Sequence, residues 1–403
     1  MKSISSHNFN AFLWHATFLA FAKNFMDVDT IIPAMLVEAG GNALHIGIMT
    51  AIMLGGSSFT QLFFAPYLSS RPYKKNYLLF GINVRILSLA GLGVLLFQLR
   101  GQSAGYVLWL AFVFITLFSL AGAFANISYT DILGKSVDAD KRKTFFSSLQ
   151  IISGILILAA AFLVKKLLVW KAFPVNYALM FFIGAALLLI ASGGFWRIRE
   201  RGPSTLSVHG IRAFFGVLKT ELTRNKKLLN FLGFVNTQGI AVSFLPFAVL
   251  FAKQNFQTQS SATGNFLLFK VIGIVFVSAL VLMGAKKVKY NVLLYANVLL
   301  SLAMALMALN IQNVSMLKYI FIVGGIVYSL FSMTMSGVLL EVSGTENRAL
   351  YTGFAGAGNI LPAVFPLIGG SIISAFGFNA FFVLFLMIIV TAAFFIYRID
   401  CKK

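Results

Sequence analysis

The stretch that decides the organisation of this chain lies at its centre, where residues 197–227 read RIRERGPSTLSVHGIRAFFGVLKTELTRNKK. It carries eight Lys and Arg residues, whereas apolar runs of about 20 residues lie on both sides of it. Most other connections between apolar runs are short. The central stretch therefore divides the chain into two halves with six apolar runs each.

The composition indicates an integral membrane protein. Of the 403 residues, 59% are apolar and 11% are charged, and phenylalanine alone supplies 43. A soluble protein of this size has too little interior to bury that much apolar surface. Barrel strands would be about half as long as these runs and would alternate in polarity. We therefore predict an all-α polytopic membrane protein with twelve transmembrane helices in two pseudo-symmetric six-helix bundles.

The predicted domains are an N-terminal six-helix bundle over residues 1–196, a cytoplasmic linker over 197–227 and a C-terminal six-helix bundle over 228–403. In the linker, apolar residues recur at helical spacing from Val208 to Leu222, with basic residues among them, which predicts an amphipathic helix on the inner leaflet. A plain linker is the alternative, and both descriptions can hold. The twelve spans are placed near residues 10–38, 44–69, 77–99, 106–131, 145–168, 176–196, 228–253, 263–285, 291–310, 318–340, 351–375 and 379–398.

The distribution of basic residues predicts the orientation. With the N-terminus inside, 23 Lys and Arg residues lie in cytoplasmic segments and six lie in outer segments. Cytoplasmic loops carry the excess of Lys and Arg in membrane proteins. We therefore predict a multi-pass protein of the cell (inner) membrane with both termini in the cytoplasm and its basic side facing anionic lipid.

The two halves resemble each other weakly. Gly47 in the second span recurs as Gly264 in the eighth, and the sequence TIIP at 30–33 is similar to SFLP at 243–246. Each match alone is weak, but the order of the matches is consistent. It indicates duplication of a six-helix unit.

Six spans, a basic amphipathic loop and six more spans resemble the major facilitator superfamily of secondary transporters, over essentially the whole chain. Residues 66–75, PYLSSRPYKK, are similar to the superfamily loop motif G-x-x-x-D-R-x-G-R-R/K, with Ser70 in place of the Asp that helps to hold an outward-facing gate. The stretches after the fourth and tenth spans resemble related loops. The candidate gating-loop residues are Arg71, Lys74, Lys75, Asp131, Arg142, Glu341 and Arg348.

The resemblance does not extend to the motifs of the superfamily's drug–proton antiporters, which have an Arg in the fourth span and a G-x-x-x-G-P-x-x-G-G run in the fifth. Neither feature occurs here, but the eleventh span contains PLIGG at 366–370. Close helix packing through small residues is the favoured explanation of this run. A functional role like that of the antiporter motif is the alternative.

Charged residues lie deep in the predicted spans: Lys23, Asp27 and Asp29 in the first, Arg85 in the third and Lys270 in the eighth. A charge near the bilayer centre costs at least about 2.5–3.5 kcal/mol. Such side chains should therefore face the bundle interior or a water-filled cavity. Because cations outnumber acids among these five, they weakly favour an anionic substrate.

Neutral polar residues in the spans add to these candidates. Hydrogen bonds between helices are their usual role, but several lie in spans that face the pore in the resembled fold. The candidate substrate- and proton-binding residues are Lys23, Asp27, Asp29, Arg85, Asn126, Asn236, Gln238, Lys270 and Asn359.

The two acids of the first span are predicted to differ. Lys23 and Asp27 are four residues apart, so in a continuous helix they lie on one face and can form an ion pair. Asp29 points to another face and has no cation on its own helix. We therefore expect Asp29 to be the titrating group that carries a proton.

The leading functional hypothesis is secondary active transport of a small solute by alternating access, coupled to protons, with export of amphipathic or anionic compounds. The alternatives are an uptake symporter of an anionic metabolite and a non-transporting receptor or assembly factor on the same fold. No Walker motif occurs, and no histidine has a partner spaced for zinc. We therefore expect no enzyme activity, cofactor, metal or nucleic-acid partner. The expected partners are substrate, protons and lipid, and the expected state is a monomer.

The predicted orientation can be tested with Cys401, which is the single cysteine of the chain. Because the C-terminus is predicted to be cytoplasmic, a membrane-impermeant thiol reagent should label Cys401 only after the cells are permeabilised. Labelling in sealed cells would contradict the orientation.

Overall fold

The computed structural model describes residues 4–69, 71–98, 104–136, 139–200, 211–284, 289–343, 356 and 358–399. These residues are helical nearly throughout and contain no strand. The helices are α1 (Ile4–Lys23), α2 (Ile31–Glu38), α3 (Ala43–Ser69), α4 (Lys75–Phe97), α5 (Ala104–Ser136), α6 (Ala139–Trp170), α7 (Val175–Arg197), α8 (Ile211–Arg224), α9 (Lys226–Gly239), α10 (Phe244–Phe256), α11 (Ser260–Gly284), α12 (Tyr290–Leu309), α13 (Leu317–Ser343) and α14 (Ile360–Ile399).

These helices represent all twelve predicted spans. Within the described residues, nine helical segments are long and apolar enough to cross a membrane, and α14 is one of them. A non-helical residue, Gly377, divides α14 into the eleventh and twelfth spans. The broken first span and α3 complete the set, and α8 is the helix predicted in the central stretch.

The first and seventh spans are both interrupted, so the prediction of one continuous helix over residues 10–38 is wrong. The 3₁₀ turn Asn24–Met26 follows α1, and the 3₁₀ turn Ile240–Ser243 joins α9 to α10. Pro33 and Pro246 are each the third residue of the helix after the break. N–H groups in a first turn have no acceptor within the helix, so proline removes no hydrogen bond there. The sequence repeat therefore corresponds to a break at matching positions of the two spans.

The turn between the last two spans depends on glycine. Gly377 has φ 81° and ψ 176°, a backbone conformation that residues with a Cβ rarely adopt. Phenylalanines that follow Gly377 face α10. Phe378 and Phe382 contact Phe251, while Phe381 contacts Phe247.

The chain forms two compact units. Unit 1 contains Met1–Asp27 and Phe59–Ala213, and unit 2 contains Val28–Ser58 and Phe214–Lys403. The boundary therefore falls at the break in the first span and inside α3. The division into two six-helix domains stays a prediction.

The core of unit 1 is aromatic. Phe12 of α1 makes edge-to-face contacts with Tyr129 of α5 and Phe195 of α7. His15, one turn further along α1, stacks on Phe195 with ring centroids 3.7 Å apart. These contacts tie α1, α5 and α7 together near the predicted cytoplasmic ends of the helices.

In unit 2, glycines let α3 and α14 approach closely. A Cβ on Gly370 would lie 2.6 Å from the carbonyl oxygen of Ala43, and one on Gly47 would collide with the carbonyl oxygen of Pro366. The PLIGG run therefore serves close helix packing, which was its favoured explanation.

We expect Gly47→Ala to destabilise the protein by about 1–3 kcal/mol, because the new methyl must push two backbones apart. Gly154→Ala is the matched control, since a Cβ there meets no atom of the described chain within 4 Å. Higher helix propensity should make that change neutral or stabilising by about 0.5–1 kcal/mol. Thermal unfolding in detergent measures both, and equal melting temperatures for the two variants would contradict the close approach.

Candidate functional site

The most buried ion pair among the described residues of unit 2 joins Asp29 to Lys270. Asp29 lies in the turn between the break and α2, and Lys270 lies in the middle of α11. The Lys270 Nζ and the Asp29 Oδ2 are 2.5 Å apart, and the two side chains are only 5% and 10% exposed. The Nζ also lies over the ring of Tyr328 of α13, 5.4 Å from its centroid. The pair therefore connects three elements.

The expectation that Asp29 has no cation on its own helix still stands, but a cation from α11 pairs with it. The continuous helix assumed for the Lys23–Asp27 pairing is wrong, since α1 ends at Lys23 and Asp27 is extended, with φ −62° and ψ 126°. The two residues therefore do not share a helix face. The pairing itself stays a prediction. Lys23 itself is exposed and Asp27 is half-buried.

A second ion pair in unit 2 was not predicted from the sequence. The Lys253 Nζ of α10 lies 2.5 Å from Glu38 Oε1 of α2, and the Ser260 hydroxyl of α11 donates to Glu38 Oε2. The sequence repeat could have suggested Glu38 and Lys253 as related positions. The matching sequences at 30–33 and 243–246 place Glu38 and Lys253 at equivalent ends of the first and seventh spans.

Arg85 lies on the interior face of α4 within unit 1. Phe80, Leu87 and Val94 are exposed on the opposite face of the helix, so Arg85 does not point in the lipid-facing direction. Except for the half-buried Arg85, all members of its stripe are buried. The stripe consists of Leu78, Ile82, Arg85, Leu89, Leu92 and Leu96.

The guanidinium of Arg85 contacts α5. It lies over the ring of Phe118, 4.3 Å from the centroid, and a Cβ on Gly122 would lie 3.5 Å from Nε. Nε is buried without a hydrogen-bond partner, and no acid among the described residues pairs with Arg85. Asn126, one turn beyond Gly122 on α5, is exposed.

Three of the neutral candidates lie in unit 2, and two of them bond to neighbouring helices. Asn236 Oδ1 accepts hydrogen bonds from the backbone N–H groups of Ile360 and Leu361, and its Nδ2 donates to Gly358, so it caps α14. Gln238 is buried and donates to the Ser301 hydroxyl of α12 at 2.7 Å. The Oδ1 of Asn359 is buried and has no partner among the described residues. Asn236 and Gln238 therefore make the hydrogen bonds between helices that are the usual role of such residues, although the Oε1 of Gln238 is buried without a partner among the described residues.

Solved structures of similar fold cover nearly the whole chain. A single-residue mutant of the nucleoside transporter NupG has a TM-score of 0.70 and 15% identity, over 97% of this chain and 100% of that one. A POT family transporter in complex with a thioalcohol-conjugated peptide has 0.68 and 12%, over 97% and 95%. A bacterial homologue of the human lysosomal transporter Spinster has 0.65 and 12%, over 99% and 97%. The chain has the major facilitator superfamily fold. No family model and no curated protein matches its sequence.

The loop that resembles the superfamily gating motif forms a charged cluster in unit 1. Lys74 and Lys135 both pair with Asp131, at 3.0 and 3.2 Å. Lys135 also pairs with Glu200 at 2.6 Å, and the Glu200 carboxylate accepts the backbone N–H groups of Lys74 and Lys75. Glu200 was not predicted. Glu200 supplies a carboxylate that accepts backbone hydrogen bonds at the start of α4. The loop before α4 has Ser70 at the position where the superfamily motif has an Asp.

The other basic residues of this loop bind neutral groups. Lys75 Nζ donates to the carbonyl oxygens of Trp196 and Ile198 at the end of α7, where a cation is favoured by the helix dipole. Arg71 is exposed and donates to the Tyr67 hydroxyl at 3.3 Å. Arg348 and the side chains of Arg142 and Glu341 lie outside the described residues.

We expect Glu200→Ala to lower the free energy of unfolding by about 1–3 kcal/mol, because two backbone donors and Lys135 lose their acceptor. Glu221→Ala in α8 is the matched control, since Glu221 lies outside this cluster. Thermal unfolding of the two variants in detergent gives the comparison. Equal stability would show that the carboxylate does not hold the start of α4.

Proposed function

We propose that this protein is a secondary active transporter of a small solute, works by alternating access and is coupled to protons through Asp29. The Asp29–Lys270 ion pair carries the proposal. It is a nearly buried carboxylate–ammonium contact at the point where the first span is broken. The fold shared with three solved transporters supports the transporter assignment.

The pair offers a direct link between a proton and a movement. While Asp29 is charged, its attraction to Lys270 holds the turn before α2 against α11, and each partner compensates the other in an apolar interior. A proton on the carboxylate removes its charge and most of that attraction. The turn can then separate from α11, so protonation of Asp29 favours a different arrangement of the first span.

The break makes such a movement feasible. Residues 27–30 are not helical, so α2 can change its direction relative to α1 without breaking helical hydrogen bonds. The matching position of the seventh span holds the 3₁₀ turn Ile240–Ser243, through which the helical path continues from α9 to α10. A hinge in the first span is consistent with alternating access by two six-helix repeats.

The test uses the full chain in proteoliposomes with an entrapped pH-sensitive dye. The panel of solutes contains nucleosides, dipeptides and small organic anions. The first two classes are included because two of the similar structures are a nucleoside transporter and a transporter bound to a peptide conjugate. We expect one class to drive proton movement. The direction of that movement distinguishes export by exchange from uptake by symport.

Asp29→Asn should abolish proton movement while solute exchange down its own gradient continues. Glu38→Gln is the matched control, because it alters an ion pair of the same unit that we do not place in the proton pathway. It should keep proton coupling. Proton movement by Asp29→Asn at the wild-type rate would exclude Asp29 as the carrier, and the absence of flux with every class would contradict transport.

A further inference from the structure

We propose that Arg85 is the group that recognises the substrate and that the substrate is an oxyanion, a carboxylate or a phosphate. This inference deepens the proposed function and rests on it. It starts from a guanidinium in the interior of unit 1 that no acid among the described residues neutralises.

The charge balance of the deep residues changes once the ion pairs are known. Lys270 is compensated by Asp29 within unit 2. Arg85 has no comparable partner in the described chain, and guanidinium cannot release its proton in a protein. A cation without a counter-charge is costly in the apolar interior of a membrane-embedded unit. A ligand that brings its own negative charge would relieve this cost.

The geometry does not favour escape of the charge to lipid. Arg85 lies in the buried stripe of α4, opposite the exposed Phe80, Leu87 and Val94. Its contact with the ring of Phe118 stabilises the charge but accepts no N–H bond along the plane of the guanidinium. The Nε donor, which has no partner among the described residues, is therefore open to an acceptor that a ligand brings.

The neighbouring helix places no side chain of residue 122 against the guanidinium. A Cβ on Gly122 would be in ordinary contact with Nε at 3.5 Å. Asn126 lies one turn further on the same helix, and its exposed amide can donate to the same ligand. A planar guanidinium with parallel N–H groups suits carboxylate and phosphate, which accept two hydrogen bonds at once.

Thermal unfolding of the full chain in detergent tests the inference without any flux. The probes are benzoate and its neutral counterpart benzamide, and phenyl phosphate and its neutral counterpart phenol. We expect one anion to raise the melting temperature of the wild-type protein by a few degrees in a concentration-dependent manner. The benzoate and phenyl phosphate arms distinguish carboxylate from phosphate. No response to either anion would overturn the proposal.

Arg85→Met should abolish the response to the anion and, without ligand, should melt no lower than wild type, because it removes an uncompensated charge. Arg85→Lys should weaken binding about tenfold or more, since it keeps the charge but loses the planar pair of donors. Lys171→Met, which removes an exposed cation, is the control and should respond as wild type does. An anion response that persists in Arg85→Met, or one that the neutral probes match, would overturn the proposal.

These outcomes are separate from those for the proposed function. If Arg85→Met no longer binds the anion, the result supports Arg85 as the recognition group even if proton coupling fails. Proton-driven flux of a neutral solute, unchanged in Arg85→Met, would support transport and contradict anion recognition.

Discussion

A carboxylate buried in a membrane protein needs a cation close to it, and Asp29 has Lys270 at 2.5 Å. The requirement fixes the turn before α2 against α11, with Tyr328 of α13 beside the ammonium. Glu38 and Lys253 satisfy the same requirement in the same unit. Arg85 in unit 1 differs from Lys270 and Lys253, because no acid among the described residues pairs with it, and this difference is the basis for proposing a ligand there.

The break in the first span makes the Asp29 pair possible. In an uninterrupted helix the direction of each side chain is set by the 3.6-residue period. The non-helical residues 27–30 release Asp29 from that period. Pro33 marks the restart of the helix, as Pro246 does in the seventh span. The break in the first span therefore positions the charged group and provides the hinge of the proposed mechanism.

Most of the fold could be predicted from the sequence because membrane helices have a strong signal of length and polarity. The spans, the central helix and the close packing at 366–370 all follow from composition and small residues. The pairing of charges could not be predicted, since an i,i+4 rule only considers one helix. It found no cation for Asp29 on its own helix, whereas the partner of Asp29 lies on α11. Glu200 was missed for the same reason, because it caps a helix distant in sequence.

The most direct test of this account is a double-mutant cycle on the buried pair, with unfolding free energies measured for Asp29→Asn, Lys270→Met and the double variant. The account predicts that each single change leaves one polar or charged group stranded, so the double variant is more stable than the sum of the single effects allows. The coupling free energy should be at least about 1 kcal/mol. Effects that add to within about 0.5 kcal/mol would contradict the pair and with it the proposed coupling site.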